Sequence, residues 1–201
     1  MENLETGDII LFSTNRWYSD VIEYADDTLF SHCGIVLVNP TYIDASLNGI
    51  YLLESGVEPF PDSTDNKYHF GVQIVPLIKV INEYVLRKAG NLYHRKLVCN
   101  RDKSFERNLV RAYGIVKDKP YNCDPIDWIE ALFGIHWFDR QITSRFWCSA
   151  LVAYIYVQLK IVDSNIDWTL VTPREWGSNQ VSNFVFLNGS YLQKEIRMLK
   201  M

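Results

Sequence analysis

Short apolar runs separated by polar turns fill the first part of the chain, and this alternation is typical of β-strands. The third run follows the dipeptide Asn48-Gly49, which is a strong hairpin signal. The stretch Pro59–Lys67 is rich in Pro, Asp, Ser and Asn, so we expect a loop within one domain. The pattern predicts four strands, at Asp8–Phe12, Ser31–Val38, Ile50–Glu54 and Val72–Leu77.

Helical spacing of apolar residues dominates the middle of the chain. The clearest case has a buried stripe that begins at Leu151 and ends at Leu159. Asp124 and Pro125 form a natural N-cap and first residue of another helix. The spacing predicts four helices, over Lys79–Ala89, Ser104–Val116, Pro125–Phe133 and Ser149–Leu159.

The remaining segments predict short elements. A short strand is expected at Leu92–Cys99, and the capping-box pattern Thr172–Glu175 predicts a helix or turn. Val181–Leu187 and Tyr191–Leu199 predict a closing hairpin across Asn188-Gly189. Strands first, helices in the middle and strands last indicate an α+β fold.

The composition is that of a globular protein and excludes several classes. With 201 residues, of which 48% are hydrophobic and 22% charged, the chain can bury a core, and we expect one domain over residues 1–201. The net charge of -4 provides no basic footprint for nucleic acid. No apolar run is long enough for a transmembrane segment. The first residues, Met1–Glu5, lack the features of a secretory signal, so an intracellular, cytoplasmic location is predicted.

The chain has four cysteines, and the question is which thiol is activated. None belongs to a CxxC pair, so a structural zinc site is not expected, and no metal or organic cofactor is predicted. In a reducing compartment all four are expected to be free thiols. They are Cys33, Cys99, Cys123 and Cys148.

Cys148 lies where the clearest helix begins. A thiol at a helix N-terminus experiences the positive end of the helix dipole and nearby unpaired N–H groups. Both lower the pKa of the thiol, and the same N–H groups can stabilise an oxyanion. The alternative is that Cys148 is a small buried hydrophobic residue, which is common for free cysteines.

Two strand residues provide candidate partners for this thiol. Alternation places His32 and Gly34 on one face of their strand, where the glycine permits close approach of another backbone or a substrate, and Cys33 on the opposite face, in the core. Glu54 ends a strand whose same-face neighbours are apolar, and orienting a histidine is one role for such a carboxylate. The alternatives are a structural histidine and an exposed charge at the strand end.

Four sequence stretches, taken in this order, resemble the permuted papain-like amidases of the NlpC superfamily. That family includes bacterial and large-DNA-virus proteins and, more distantly, the lecithin–retinol acyltransferases. Further likenesses are a following strand at Gly71–Leu77, the element Lys119–Asn122 and the pair Thr172-Pro173, so the resemblance covers roughly residues 4–176. The four stretches are Thr6–Ile10 (TGDII), Ser31–Val36 (SHCGIV), Leu53–Ser55 (LES) and Trp147–Val152 (WCSALV).

The resemblance implies a permuted papain-like fold with an antiparallel, barrel-like sheet packed on the cysteine-bearing helix. By position, Cys148 is the nucleophile, His32 the general base and Glu54 the residue that orients His32. Many bacterial members have an acidic residue directly after the Cys-Ser pair, where this chain has Ala150, so their substrates do not transfer directly. Substrate-binding roles are assigned to Tyr121, Trp147 and Ser149.

The predicted function is therefore that of a cysteine amidase or peptidase-type hydrolase that works through an acyl-enzyme. The expected partner is a peptide, isopeptide, peptidoglycan-like or lipid acyl substrate. Two alternatives stay open: a lipid acyltransferase or acylhydrolase on the same triad, and a non-catalytic binding or virion-associated module on this fold.

Overall fold

The computed structural model describes residues 3–14, 30–87, 90–123, 143–180 and 182–198. Within these ranges the chain forms strands and a few helices, and the fold is α+β, as predicted. The helices are α1 (Leu77–Arg87), α2 (Lys103–Val116) and α3 (Cys148–Gln158), with 3-10 turns at Trp168–Leu170 and Pro173–Trp176. The strands are β1 (Ile9–Thr14), β2 (His32–Val38), β3 (Ile50–Gly56), β4 (Gly71–Pro76), β5 (Gly90–Arg95), β6 (Leu97–Val98), β7 (Tyr191–Leu192) and β8 (Ile196–Arg197).

Six of these strands form one antiparallel sheet in the order β4-β3-β2-β1-β5-β8. In the central pair, Ile9 lies opposite Ile35 and Phe12 lies opposite His32. Strands β6 and β7 form a separate two-stranded sheet. The barrel-like closure expected from the family resemblance stays a prediction, because β4 and β8 are the outer strands of this order.

The two faces of the sheet contribute to two different apolar clusters. Ile9 and Leu11 of β1 lie in the larger cluster, which contains the residues of α2 and α3. Ile10 and Phe12 lie in the smaller one, with residues of α1 such as Val80. Since successive side chains of a strand point to opposite faces, a continuous apolar run in β1 is what a sheet covered on both sides requires.

The predicted stripe of α3 is buried, and the buried surface extends to all sides of the helix. Every residue from Cys148 to Tyr156 is buried. The helix contacts β2, β3, α2 and both 3-10 turns, so no face is left for solvent along most of its length. A helix that is apolar all round is typical of such a site.

The predicted strand Leu92–Cys99 is divided in two at Lys96, because a buried carboxylate interrupts it. Asp8 Oδ1 accepts a hydrogen bond from the Leu97 N–H at 3.0 Å, and Asp8 Oδ2 lies 2.7 Å from His94 Nε2. The side chain of Asp8 is fully buried, which makes these partners necessary. The chain therefore turns away from β5 after Arg95 and continues as β6.

The predicted closing hairpin is wrong. Asn188 and Gly189 do adopt the positive φ values of a tight turn, 54° and 71°. However, β7 pairs with β6 and β8 pairs with β5, while the described residues before the turn, 182–187, contribute only an isolated bridge from Phe186 to Val162. The long-range pairs β6–β7 and β5–β8 thus replace the predicted local hairpin.

The other predicted elements agree with the structure to within a few residues. The loop Pro59–Lys67 joins β3 to β4, and the capping box at Thr172 precedes a 3-10 turn. The predicted helix Pro125–Phe133 lies outside the described residues. Among the residues that the structure describes, no helix is long and apolar enough to cross a membrane.

Candidate active site

Cys148 is the first residue of α3, as the sequence predicts. The preceding N-cap residue, Trp147, makes no side-chain hydrogen bond to the helix start. The first N–H groups of α3 therefore have no side-chain acceptor from their cap, and an oxyanion is a suitable partner for them. The Cys148 side chain is 3% exposed.

The segment that leads into α3 is fixed to the sheet two residues before the thiol. The Ser55 hydroxyl of β3 donates to the carbonyl oxygen of Phe146 at 2.6 Å. The Asn122 N–H donates to the same oxygen at 3.1 Å. Since Ser55 follows Glu54 directly, this anchor couples the position of Cys148 to that of the carboxylate strand.

Trp147 and Ser149 flank the thiol and both bond to one carbonyl group. The Ser149 hydroxyl donates to the Val171 oxygen at 2.7 Å, and the Trp147 indole N–H donates to it at 3.2 Å. Ser149 is completely buried. These contacts hold the start of α3 against the segment before the capping box, and the substrate-binding roles of the two side chains stay predictions.

His32 and Glu54 are brought together from neighbouring strands. His32 Nε2 lies 2.5 Å from Glu54 Oε2. Glu54 is fully buried, whereas 19% of the His32 side chain is exposed. The imidazole ring also meets the ring of Phe12 edge-on, with centroids 4.9 Å apart, which fixes its tilt.

Gly56, rather than Gly34, is the glycine that leaves room for the imidazole. A Cβ atom at Gly56 would lie 3.3 Å from His32 Cε1 and 3.7 Å from Nε2. A Cβ atom at Gly34 would instead meet the Leu52 side chain at 2.8 Å, so Gly34 provides for packing between strands.

Gln73 extends the chain of polar contacts, and the sequence analysis missed it. Its Nε2 amide donates to Glu54 Oε1 at 3.3 Å, and the two residues are directly opposite each other in β3 and β4. Gln73 is 1% exposed, and its Oε1 atom has no hydrogen-bond partner among the described residues. The available signal was a single polar residue inside an apolar strand run.

Glu54 bonds to Nε2, which leaves Nδ1 as the ring nitrogen of His32 available to Cys148. Burial alone would lower the pKa of His32, but the charge and hydrogen bond of Cys148, followed by those of Glu54, raise it well above its ordinary value. For Cys148, a hydrogen bond from the Cys33 thiol lowers the pKa; against burial, the charge and hydrogen bond of His32 then lower it further. The arrangement favours a thiolate–imidazolium pair.

Cys33 is buried in the core, as expected, but it also contacts the candidate nucleophile. Burial raises the pKa of the Cys33 thiol well above its ordinary value, and the hydrogen bond and charge of Cys148 raise it further. Cys33 therefore stays protonated while Cys148 carries the charge. The sequence analysis placed Cys33 on the correct face and missed this contact.

Tyr121 is a further residue on which the charge of Cys148 acts. Burial, followed by the charge of Cys148, raises the pKa of the Tyr121 hydroxyl, which keeps it protonated as a hydrogen-bond donor. Its ring stacks on Phe70 with centroids 5.2 Å apart. The substrate-binding role assigned to Tyr121 is compatible with this position and stays a prediction.

Glu58 is a further carboxyl group on which the charges of Glu54 and His32 act. Burial and then the negative charge of Glu54 raise the pKa of Glu58 to about 8, while the charge of His32 opposes this shift. At neutral pH the Glu58 side chain is therefore mostly protonated.

A separate group of side chains offers metal-ligand atoms. Those of Asp65, His69 and Asp118 lie within 4.8 Å of one another. His69 Nε2 is already 3.0 Å from Asp65 Oδ2, so an ion pair accounts for two of the three. The group shares no residue with the Cys148 site.

Comparisons with known proteins inform the fold only. No protein-family model matches the chain, and no curated protein matches it in sequence. Among solved structures it is similar to the metalloprotein YiiX from Escherichia coli O157:H7, of DUF1105, with a TM-score of 0.51 and 16% identity over 98% of this chain and 97% of that chain. At this identity the likeness shows a shared fold, not a shared activity or metal.

Proposed function

We propose that this protein is a cysteine hydrolase that cleaves an amide or ester bond through an acyl-thioester on Cys148. The observation that carries the proposal is the chain of contacts from Cys148 through His32 to Glu54. It combines a thiol whose pKa is lowered with a histidine whose pKa is raised. A nucleophile, a base and an orienting group in hydrogen-bonding contact are the elements of covalent acyl transfer.

The permuted papain-like fold of the NlpC superfamily is part of this proposal. The order of a histidine strand, a carboxylate strand and a cysteine helix supports it. So does the antiparallel sheet whose β2 and β3 pack against α3.

In the proposed mechanism, the Cys148 thiolate attacks the substrate carbonyl while His32 holds the proton. The N–H groups at the start of α3 and the Tyr121 hydroxyl are the proposed donors to the oxyanion. His32 then donates its proton to the leaving amine or alcohol, and the acyl group remains on the sulfur. Water deprotonated by His32 releases the acid and restores the thiolate.

Exposed apolar side chains next to the site support a substrate with an apolar portion. Val57, which follows the glycine beside His32, is 70% exposed, and Phe70, which stacks on Tyr121, is 56% exposed. Large exposed apolar side chains grouped at a site often mark a binding surface. A lipid acyl chain or an apolar peptide side chain can pack against these apolar side chains, whereas a purely polar glycan gains nothing from contact with them.

The test is direct detection of the acyl-enzyme. The protein is mixed with p-nitrophenyl esters of short and long acyl chains and with peptide coumarin amides, and intact and peptide masses are measured. We expect an acyl adduct on Cys148 that is lost in Cys148→Ala and strongly reduced in His32→Ala. Cys123→Ala, which removes an exposed thiol, is the matched control and keeps the adduct.

The alternatives give different outcomes in the same assay. An acyltransferase forms the adduct but releases it faster when an alcohol or amine is added than in water alone. A non-catalytic binding or virion-associated module forms no adduct, and its Cys148 alkylates no faster than Cys123. That last result would overturn the proposal.

A further inference from the structure

The candidate nucleophile is in contact with a second thiol. Cys33 follows His32 directly in β2, so its side chain points to the opposite face, toward α3. It belongs to the same buried cluster as Cys148. His32 and Cys33, the first two residues of β2, are therefore both partners of the candidate nucleophile.

Strand β2, which carries Cys33, packs against α3. Hydrogen bonding from the Cys33 thiol and backbone N–H lowers the pKa of the Cys148 thiol. The pairing of β2 with β3 runs from Ile35 to Val38 and ends before Cys33. Cys33 therefore lies beyond the paired part of β2 and β3, in a strand that packs against α3.

The direction of the thiol hydrogen bond follows from the surroundings of each sulfur. Cys148 lies at a helix N-terminus and is a partner of His32, whose pKa is raised. Both features favour the thiolate form of Cys148. Cys33 lies within a strand among apolar side chains, which favours its neutral form. The Cys33 S–H is therefore the donor, and a hydrogen bond to a charged acceptor is stronger than one between neutral groups.

We propose that Cys33 is a positioning residue for the nucleophile, whose S–H and N–H donate to the Cys148 sulfur and hold it as a thiolate facing His32. The inference rests on the proposed function, because it assigns a role within the same site. Cys33 does not touch the reacting carbonyl and acts only through Cys148. The titratable groups that face Cys148 are then His32 and Cys33 of β2 and Tyr121, with Glu54 acting through His32.

The experiment measures the alkylation rate of Cys148 by iodoacetamide against pH, under reducing conditions, with site assignment by mass spectrometry. It uses the Cys99→Ala, Cys123→Ala background, which removes the other accessible thiols. Cys33→Ser keeps a side-chain donor, whereas Cys33→Ala and Cys33→Val remove it. All three keep the backbone N–H, and Cys33→Val preserves most of the core volume if the alanine variant folds poorly.

We expect Cys33→Ala and Cys33→Val to raise the apparent pKa of Cys148 by about one unit, which slows alkylation about tenfold below that pKa. Cys33→Ser retains most of the wild-type rate. The titration of His32, followed by NMR of its ring nitrogens, moves to lower pH in the variants that lack the donor. A residue that only fills space would shift neither titration.

The outcomes separate the inference from the proposed function. If wild-type Cys148 has a low apparent pKa that Cys33→Val leaves unchanged, Cys33 has no positioning role and the hydrolase proposal stands. If wild-type Cys148 titrates like an ordinary thiol, both proposals fail. If serine and valine at position 33 slow the reaction equally, the effect comes from packing and the inference is overturned.

Discussion

Glu54 Oε2 lies 2.5 Å from His32 Nε2, although the two residues are 22 positions apart in the chain and belong to different strands. The carboxylate is fully buried, and its other oxygen accepts from Gln73. A buried charge needs such partners, since an unpaired one is costly. The pair therefore fixes the ring of His32 and leaves its other nitrogen for Cys148.

We expect Glu54→Gln to reduce the reactivity of Cys148 about tenfold or more near pH 6.5. A neutral amide does not stabilise the imidazolium, so the raised pKa of His32 falls, and a change of one unit corresponds to a factor of ten. The measurement is the alkylation rate of Cys148 against pH. Asp65→Asn, which removes another histidine–carboxylate pair, is the control and leaves the rate unchanged. A wild-type rate in Glu54→Gln would show that Glu54 does not orient His32.

Gly56→Ala is expected to impair the site while the fold is retained. The new methyl group would lie 3.3 Å from His32 Cε1, so the imidazole must move by a few tenths of an ångström and its contacts are disturbed. We expect slower alkylation of Cys148 and a cooperative unfolding transition like that of the wild type. Gly114→Ala is the matched control: nothing lies within 4 Å of its Cβ position in α2. It should add about 0.5–1 kcal/mol of stability without changing the thiol. Equal reactivity in both variants would contradict the expected crowding of His32.

Glu58→Gln should flatten the pH dependence of stability. The pKa of Glu58 is raised to about 8 in the folded protein, so between its ordinary value and that pH the folded state binds more protons than the unfolded state. The free energy of unfolding therefore falls as the pH rises through this window, and the substitution removes that fall. Urea unfolding at pH 5.5 and 8.5 measures it. Glu106→Gln, at an exposed position in α2, should keep the wild-type slope.

Ser149→Ala tests whether Ser149 anchors α3. Its hydroxyl donates to the Val171 oxygen, which also accepts from Trp147. We expect a loss of about 1 kcal/mol in the free energy of unfolding, because the carbonyl keeps one partner. Trp147→Phe combined with Ser149→Ala should cost more than the sum of the single variants, since the carbonyl then loses both donors. If the free-energy costs of the two substitutions simply add, the shared Val171 oxygen does not couple the two side chains.

Local periodicity was sufficient to place most elements and to assign residues to faces. Alternation correctly put His32 and Cys33 on opposite sides of β2, and the helix start at Cys148 was predicted to within one residue. The prediction of a closing hairpin was wrong because a turn dipeptide specifies a bend but does not specify which strands the adjoining segments pair with.

By itself, the sequence determined that Cys148, His32 and Glu54 are candidates for a nucleophile, a base and an orienting carboxylate, and in what order they occur. Only the tertiary structure decided that Gln73 lies opposite Glu54, that Gly56 borders the His32 ring and that Cys33 contacts the nucleophile. The physical reason is that side-chain direction follows from the local backbone, with a period of two in strands and 3.6 in helices. Contacts between elements depend instead on register and packing, which join residues far apart in the chain and are not encoded in any single segment.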